Sequence, residues 1–156
     1  MRRKFEEMLH NEMAINDKIV LITGDLGYGL WDRIKIDYPD RFYNPLAAEQ
    51  LMVGMASGLA MDGYIPLVYS ITPFVIYRPF ELIRNYLEHE KIPVKLIGGG
   101  RDKEYGYLGF SHWAEEDIDI LSCFKNIDLY KPEKLTLDMF REMIYKPNAC
   151  YMNLKR

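Results

Sequence analysis

The chain has 156 residues, 49% of them hydrophobic and 28% charged, with a formal net charge of -3. Those proportions suit a single folded globular domain and exclude a disordered or fibrous chain. Nucleic acid is excluded as a partner because phosphate binding needs clustered Lys and Arg, and the only basic cluster is Arg2-Arg3-Lys4. No apolar run reaches the roughly 18 residues that span a bilayer. The N-terminal segment turns acidic and amphipathic after Lys4, without the apolar stretch of a secretory signal, so a cytoplasmic protein without a membrane partner is expected. Cys123 and Cys150 each lie among apolar neighbours and are expected as reduced, buried core thiols.

In chain order, residues 2–15 place Phe5, Met8, Met13 and Ile15 among charges, a helical pattern. Lys18–Thr23 is a short β-branched run that reads as a buried parallel strand, and Gly24–Gly29 is a loop with three glycines. A short helix over 30–37 is stopped at Tyr38-Pro39, and Phe42-Tyr43 can add a short strand. Ala47–Met61 is the clearest helix. Leu51, Met52, Met55, Leu59 and Ala60 give it an apolar face, while Gly54, Ser57 and Gly58 give it a second face of small residues. Small residues cost helix propensity, so that face predicts close approach of another backbone. Further strands are expected over 65–70, 93–97, 127–130 and 149–154, and further helices over 79–90, 115–124 and 135–144. This alternation predicts a three-layer α/β/α domain with a mostly parallel sheet. Ligands of such sheets bind beyond the carboxyl ends of the strands, which directs attention to loops 24–29, 45–49, 70–78 and 98–113.

The familiar catalytic constellations are missing. The histidines are His10, His89 and His112, none of them in a cluster with metal-ligand spacing. No Ser occupies a Gly-x-Ser-x-Gly elbow, and Gly24-x-x-Gly27-x-Gly29 is not the dinucleotide fingerprint Gly-x-Gly-x-x-Gly. One carboxylate stands out. Glu49 opens a helix that is otherwise apolar or small on nearly every face. Taken by itself it reads as an acid placed at a helix start, where exposed N–H groups favour an anion.

A resemblance gives it a second meaning. Tyr38-Pro-Asp-Arg-Phe-Tyr-Asn44, followed by Ala47-Ala-Glu-Gln-Leu-Met-Val-Gly-Met-Ala-Ser-Gly-Leu-Ala60, resembles the pyrimidine-domain motif of transketolases and deoxyxylulose-phosphate synthases. The segments Ile65–Phe74, Arg78–Asn85, Pro93–Gly100, Gly106–His112, Glu116–Ile118 and Tyr151–Arg156 follow in the family's order. The resemblance covers nearly the whole chain and implies the thiamine-diphosphate-binding fold of the pyrimidine type.

The resemblance also implies roles. Glu49 would hydrogen-bond N1′ of the cofactor's aminopyrimidine and relay the proton that activates the thiazolium carbon. Phe74 and Tyr77, with Phe80 nearby, would wall the ring. His112 would face substrate oxygen atoms, and Arg78 a substrate phosphate. Asp25 would lie where two cofactor-binding domains meet. Many relatives carry an acid four positions before the histidine. Leu108 stands there in this chain, so those substrate contacts are not carried over.

The family's pyrophosphate-binding signature, Gly-Asp-Gly followed by Asn, does not occur in these residues, and a chain without the family's third domain is expected. The expectation is therefore half of a site in one domain over residues 1–156. A separate chain would hold Mg²⁺ and the diphosphate in an α2β2 assembly. The activity expected is transfer of a two-carbon ketol unit between sugars or sugar phosphates. The alternatives are a 2-oxo acid decarboxylase or dehydrogenase component, and a catalytically silent regulatory paralogue.

Overall fold

Apolar residues of opposite parity along each strand feed two separate cores. On β1 (Ile19–Thr23), Ile19 and Leu21 join one core, and Val20 and Ile22 join the other. That is the alternation of a strand whose neighbours on both faces are apolar. In the computed structural model, which describes all residues Met1–Arg156, six strands form one sheet in the order β2-β1-β3-β4-β6-β5. Every pairing is parallel. The other strands are β2 (Phe42–Tyr43), β3 (Ile65–Ile71), β4 (Lys95–Gly99), β5 (Ile127–Tyr130) and β6 (Ala149–Leu154). The sheet is thus wholly rather than mostly parallel.

The first core is closed by α1 (Arg2–Ile15), α2 (Asp32–Asp37) and α7 (Leu137–Tyr145). Phe5, Leu9 and Met13 recur at intervals of four and line one stripe of α1. The side chain of Thr136 caps α7 by accepting from the Met139 amide at 3.2 Å. The second core lies under α3 (Glu49–Met61), α4 (Thr72–Tyr77), the short α5 (Phe80–Leu82) with the π-helical stretch Ile83–His89 that continues it, and α6 (Asp117–Leu121). Met52, Val53, Ala56 and Ala60 of α3 pack there with Val68 and Leu96 of the sheet. Each fully buried aliphatic side chain contributes about 1.5–3 kcal/mol relative to an exposed one, so neither face of the sheet is dispensable.

Several expectations change. Residues 70–78 are not a loop: β3 runs to Ile71, and α4 begins at once at Thr72-Pro73. Pro73 in the first helical turn costs no hydrogen bond, which lets the helix start there. The helix expected over 115–124 is only Asp117–Leu121. Cys150 is buried as expected, but Cys123 is exposed, because it follows the end of α6 and turns away from the core. Ser57 does not belong to an outer small-residue face. It is buried and donates to the Val53 carbonyl at 2.9 Å. Apart from its chain neighbours and the adjacent backbone of the same helix, nothing lies within 4 Å of a Cβ placed on Gly54 or Gly58. No helix is long and apolar enough to cross a membrane.

Candidate active site

The loops and helix starts that follow β1, β2, β3 and β4 gather at the carboxyl end of the sheet, as the topology requires. Glu49 is the first residue of α3 and is 2% exposed. Its backbone sits after Leu46, whose φ of 63° is unusual for a branched side chain. The turn is held by Asn44, whose Oδ1 accepts from the Leu46 amide at 3.1 Å and from the Asp25 amide at 2.8 Å. One asparagine therefore ties the loop after β1 to the entry of α3.

Both carboxylate oxygens of Glu49 have partners. Ser70, fully buried near the end of β3, donates to Oε1 at 3.2 Å. Arg78, just past α4, donates from Nη1 to Oε2 at 2.8 Å. Glu49 and Arg78 also line an open cleft of about 480 Å³ with Ala47, Ala48, Gln50 and Leu51. The Arg78 guanidinium lies over the Phe74 ring, 3.7 Å from its centroid. Phe74 in turn meets His112 at 4.9 Å between ring centroids, in a T-shaped contact. Glu49, the neighbouring Phe74 and Arg78, and His112 come from three separate stretches of sequence and thus form one contiguous chain of contacts. Arg78, expected at a substrate phosphate, is paired here with the Glu49 carboxylate.

The remaining expected residues lie around this chain of contacts rather than in it. Tyr77 sits beside Glu116. Burial first, and that carboxylate second, push its phenol well above the ordinary tyrosine range. Phe80 packs on Phe124 at 5.4 Å and belongs to the rim of the second core. Asp25 is exposed and accepts from the Tyr28 hydroxyl at 2.5 Å and from Asn44 at 3.3 Å. Those two bonds, Tyr28 first, hold its carboxyl below the ordinary aspartate value.

A buried polar network carries the His112 loop. Arg101 opens this loop and is 1% exposed, and Asp117 closes it and is fully buried. Asn153 on β6 joins them. Its Oδ1 accepts from Arg101 Nε at 3.0 Å, and its Nδ2 donates to Asp117. Tyr151 also donates to Asp117 Oδ2 at 2.7 Å. Burial, then the charge of Asp117, raise the Tyr151 phenol well above its usual value. Between these feet, Asp102 and Ala114 form an antiparallel bridge. Opposite charges that could not be buried singly are thus buried together through one amide.

The family model described as transketolase, pyrimidine binding domain, matches residues 1–146. The chain belongs to this family. A protein named as a putative transketolase C-terminal section from Methanocaldococcus jannaschii is 33% identical, over 100% of this chain and 50% of its own length. An apulose-4-phosphate transketolase subunit from Phocaeicola vulgatus is 29% identical, over 99% of this chain and 51% of its own. The chain spans about half the length of these curated relatives. Among solved structures, one described as "Split gene transketolase, inactive beta4 tetramer" superposes with a TM-score of 0.87 at 28% identity, covering 99% of this chain and 50% of that one. Campylobacter jejuni transketolase shares the fold, with a TM-score of 0.85 at 17% identity over 98% of this chain and 25% of its own.

Within this pyrimidine-binding domain, sequence reasoning missed Ser70 and the Arg101–Asn153–Asp117 clamp. Ser70 carries no local signal, since a serine ending an apolar strand is ordinary. The clamp had one: charged residues flank a loop whose far neighbour, Asn153, interrupts an apolar strand. No group of three or more His, Cys, Asp or Glu side chains is arranged to hold a metal ion.

Proposed function

We propose that this chain supplies the aminopyrimidine half of a thiamine-diphosphate site in a transketolase-type transferase. In this reading it transfers a two-carbon ketol unit between sugars or sugar phosphates. A partner chain with a pyrophosphate-binding domain holds Mg²⁺ and the diphosphate, in an α2β2 assembly. The observation that carries the reading is a carboxylate 2% exposed that lines a cleft, with an aromatic side chain one contact away through Arg78. Family membership and half-length relatives, together with a split-gene structural neighbour, support the division of labour.

The donor set fits an aminopyrimidine. Such a ring needs a hydrogen-bonding acid at one edge and apolar surface against its face, and Glu49 and Phe74 supply them. When bound, the cofactor supplies a carbon nucleophile for a ketose carbonyl. The chain's own tasks are to hold the ring and to move a proton at its remote nitrogen. Glu49 does both, because one oxygen can share a proton with N1′ while Ser70 fixes the other. His112 has its Nδ1 within 3.0 Å of the Ser111 hydroxyl, which leaves Nε2 free to bond a substrate oxygen.

The test is co-expression with the candidate partner, followed by calorimetric titration with thiamine diphosphate and Mg²⁺. The pair binds cofactor and this chain alone does not. Glu49→Gln leaves assembly intact and lowers ketol transfer by about 10²–10⁴-fold, the range for loss of a proton-transfer group. A pair that assembles but binds no cofactor would overturn the reading in favour of a regulatory paralogue.

A further inference from the structure

The partners of Glu49 raise a steric and chemical conflict with the ring that this site is proposed to hold. Oε1 faces the fully buried Ser70, so Oε2 is the oxygen toward the cleft, and Arg78 occupies it at 2.8 Å. An ion pair needs the carboxylate ionised, whereas donating a proton to a ring nitrogen needs it protonated. Arg78 and the ring nitrogen therefore compete for Oε2. The same guanidinium covers a face of Phe74 at 3.7 Å, and His112 meets that ring at 4.9 Å. The Phe74 face under the guanidinium is closed to stacking while Arg78 stays in place.

Building on the proposed cofactor site, we infer that Arg78 is a latch: it closes the ring half-site in the free chain and leaves when the aminopyrimidine enters. The fold makes the movement inexpensive. The Arg78 side chain is 45% exposed and Glu49 only 2%, so the arginine can swing into solvent while the acid stays fixed. No other chain segment has to repack, because Arg78 donates only to Glu49. The released guanidinium is then available to an anion at the cleft mouth. A latch of this kind lowers affinity by the fraction of molecules that are open, so binding of the ring is weaker than the site itself allows. The empty half-site also keeps its buried carboxylate paired, which an open one would not.

The experiment uses the full chain by itself and two readouts that need no catalysis. First, the side-chain Nε–Hε signal of Arg78 is followed by NMR in the wild type and in Glu49→Gln. The signal shifts and exchanges faster in the variant; an unchanged signal means the ion pair is absent and overturns the inference. Second, both wild type and Arg78→Met are titrated with the free hydroxymethyl aminopyrimidine, up to its solubility limit. Arg78→Met keeps the apolar stem and removes the fork, and it binds the ring about tenfold more tightly. Arg84→Met, on an exposed side chain that hydrogen-bonds to Asn85 and not to Glu49, leaves affinity unchanged. Equal or weaker binding by Arg78→Met overturns the latch while leaving the ring site standing. Failure of both proteins to bind the ring overturns the latch, while the site reading is decided separately by cofactor binding to the co-expressed pair.

Discussion

Replacing Asp117 with alanine tests whether the buried clamp holds the His112 loop. Asp117 is fully buried and accepts from Tyr151 at 2.7 Å, from Asn153, and from the Ile118 amide at 2.8 Å, with Lys131 at 4.0 Å. Alanine removes the buried anion that reaches Arg101 through Asn153 and leaves that guanidinium, itself 1% exposed, only one ion partner, the solvent-exposed Glu133 at 3.4 Å. Loss of one partner from a buried charged group costs about 3–5 kcal/mol. Some is recovered, because Asn153 Nδ2 can still donate to the Tyr151 oxygen at 3.1 Å. The expected loss is therefore near the lower end, about 3 kcal/mol, a large share of the roughly 5–15 kcal/mol that holds a domain folded. Urea unfolding followed by tryptophan fluorescence measures it, and Tm falls by about 6–12 °C, at about 2–4 °C per kcal/mol for a chain of this size. Limited chymotrypsin digestion adds a local readout, since Tyr105, Tyr107 and Phe110 lie within the loop and become cleavable. Asp119→Ala, on the exposed side of the same helix, stays within about 0.5 kcal/mol. A loss below about 1 kcal/mol in Asp117→Ala, or equal effects at both positions, would refute the clamp.

Three further outcomes follow from the packing. Maleimide labels one thiol in the native chain and two in urea, because Cys123 is exposed and Cys150 is buried; mass spectrometry counts the labels. Gly98→Ala destabilises by about 1–3 kcal/mol in urea, because the new Cβ would stand 2.6 Å from Thr72 Oγ1 and 2.9 Å from the Tyr151 hydroxyl. Lys95 is 1% exposed at the amino end of β4, and burial lowers its pKa below the ordinary 10.5. Its unfolded form binds more protons than its folded form between those two values. Stability relative to Lys95→Met therefore rises as pH climbs toward 10.5, which paired urea titrations across alkaline pH would detect. The buried phenols of Tyr69 and Tyr151, shifted upward by burial, act with the opposite sign above pH 10.0, and the paired comparison cancels them.

The sheet was legible because its strands are short, apolar and separated by helices, and no other architecture buries both faces of such strands. Helix α3 was legible from its apolar period, and Glu49 from the contrast between a carboxylate and that helix. The boundary after β3 was not. Ser70-Ile-Thr-Pro73 reads as the end of a strand followed by a loop, and only the register against Gly98 and Gly99 shows that Ile71 still pairs. Cys123 misled because its neighbours are apolar, yet burial depends on where α6 ends. Side-chain partnerships were the least visible. Arg78 is 29 residues from Glu49, and nothing in either local sequence states that they meet.

That partnership also explains an asymmetry in how the site places its charges. Arg101 and Asp117 are both buried, and each has several bonds to backbone or amide groups, so neither can leave without breaking the loop. Glu49 is equally buried, but one of its partners, Arg78, is half in solvent. Arg101 and Asp117 are joined through Asn153, and the ion partners that reach them directly, Glu133 and Lys131, only supplement those bonds from the surface. Glu49 has only two side-chain partners, Ser70, which is fixed in the core, and Arg78, which can move into solvent. An acid that must trade a guanidinium for a ring nitrogen needs that arrangement. A core salt bridge kept only for stability would do better with both charges buried or both replaced by apolar groups.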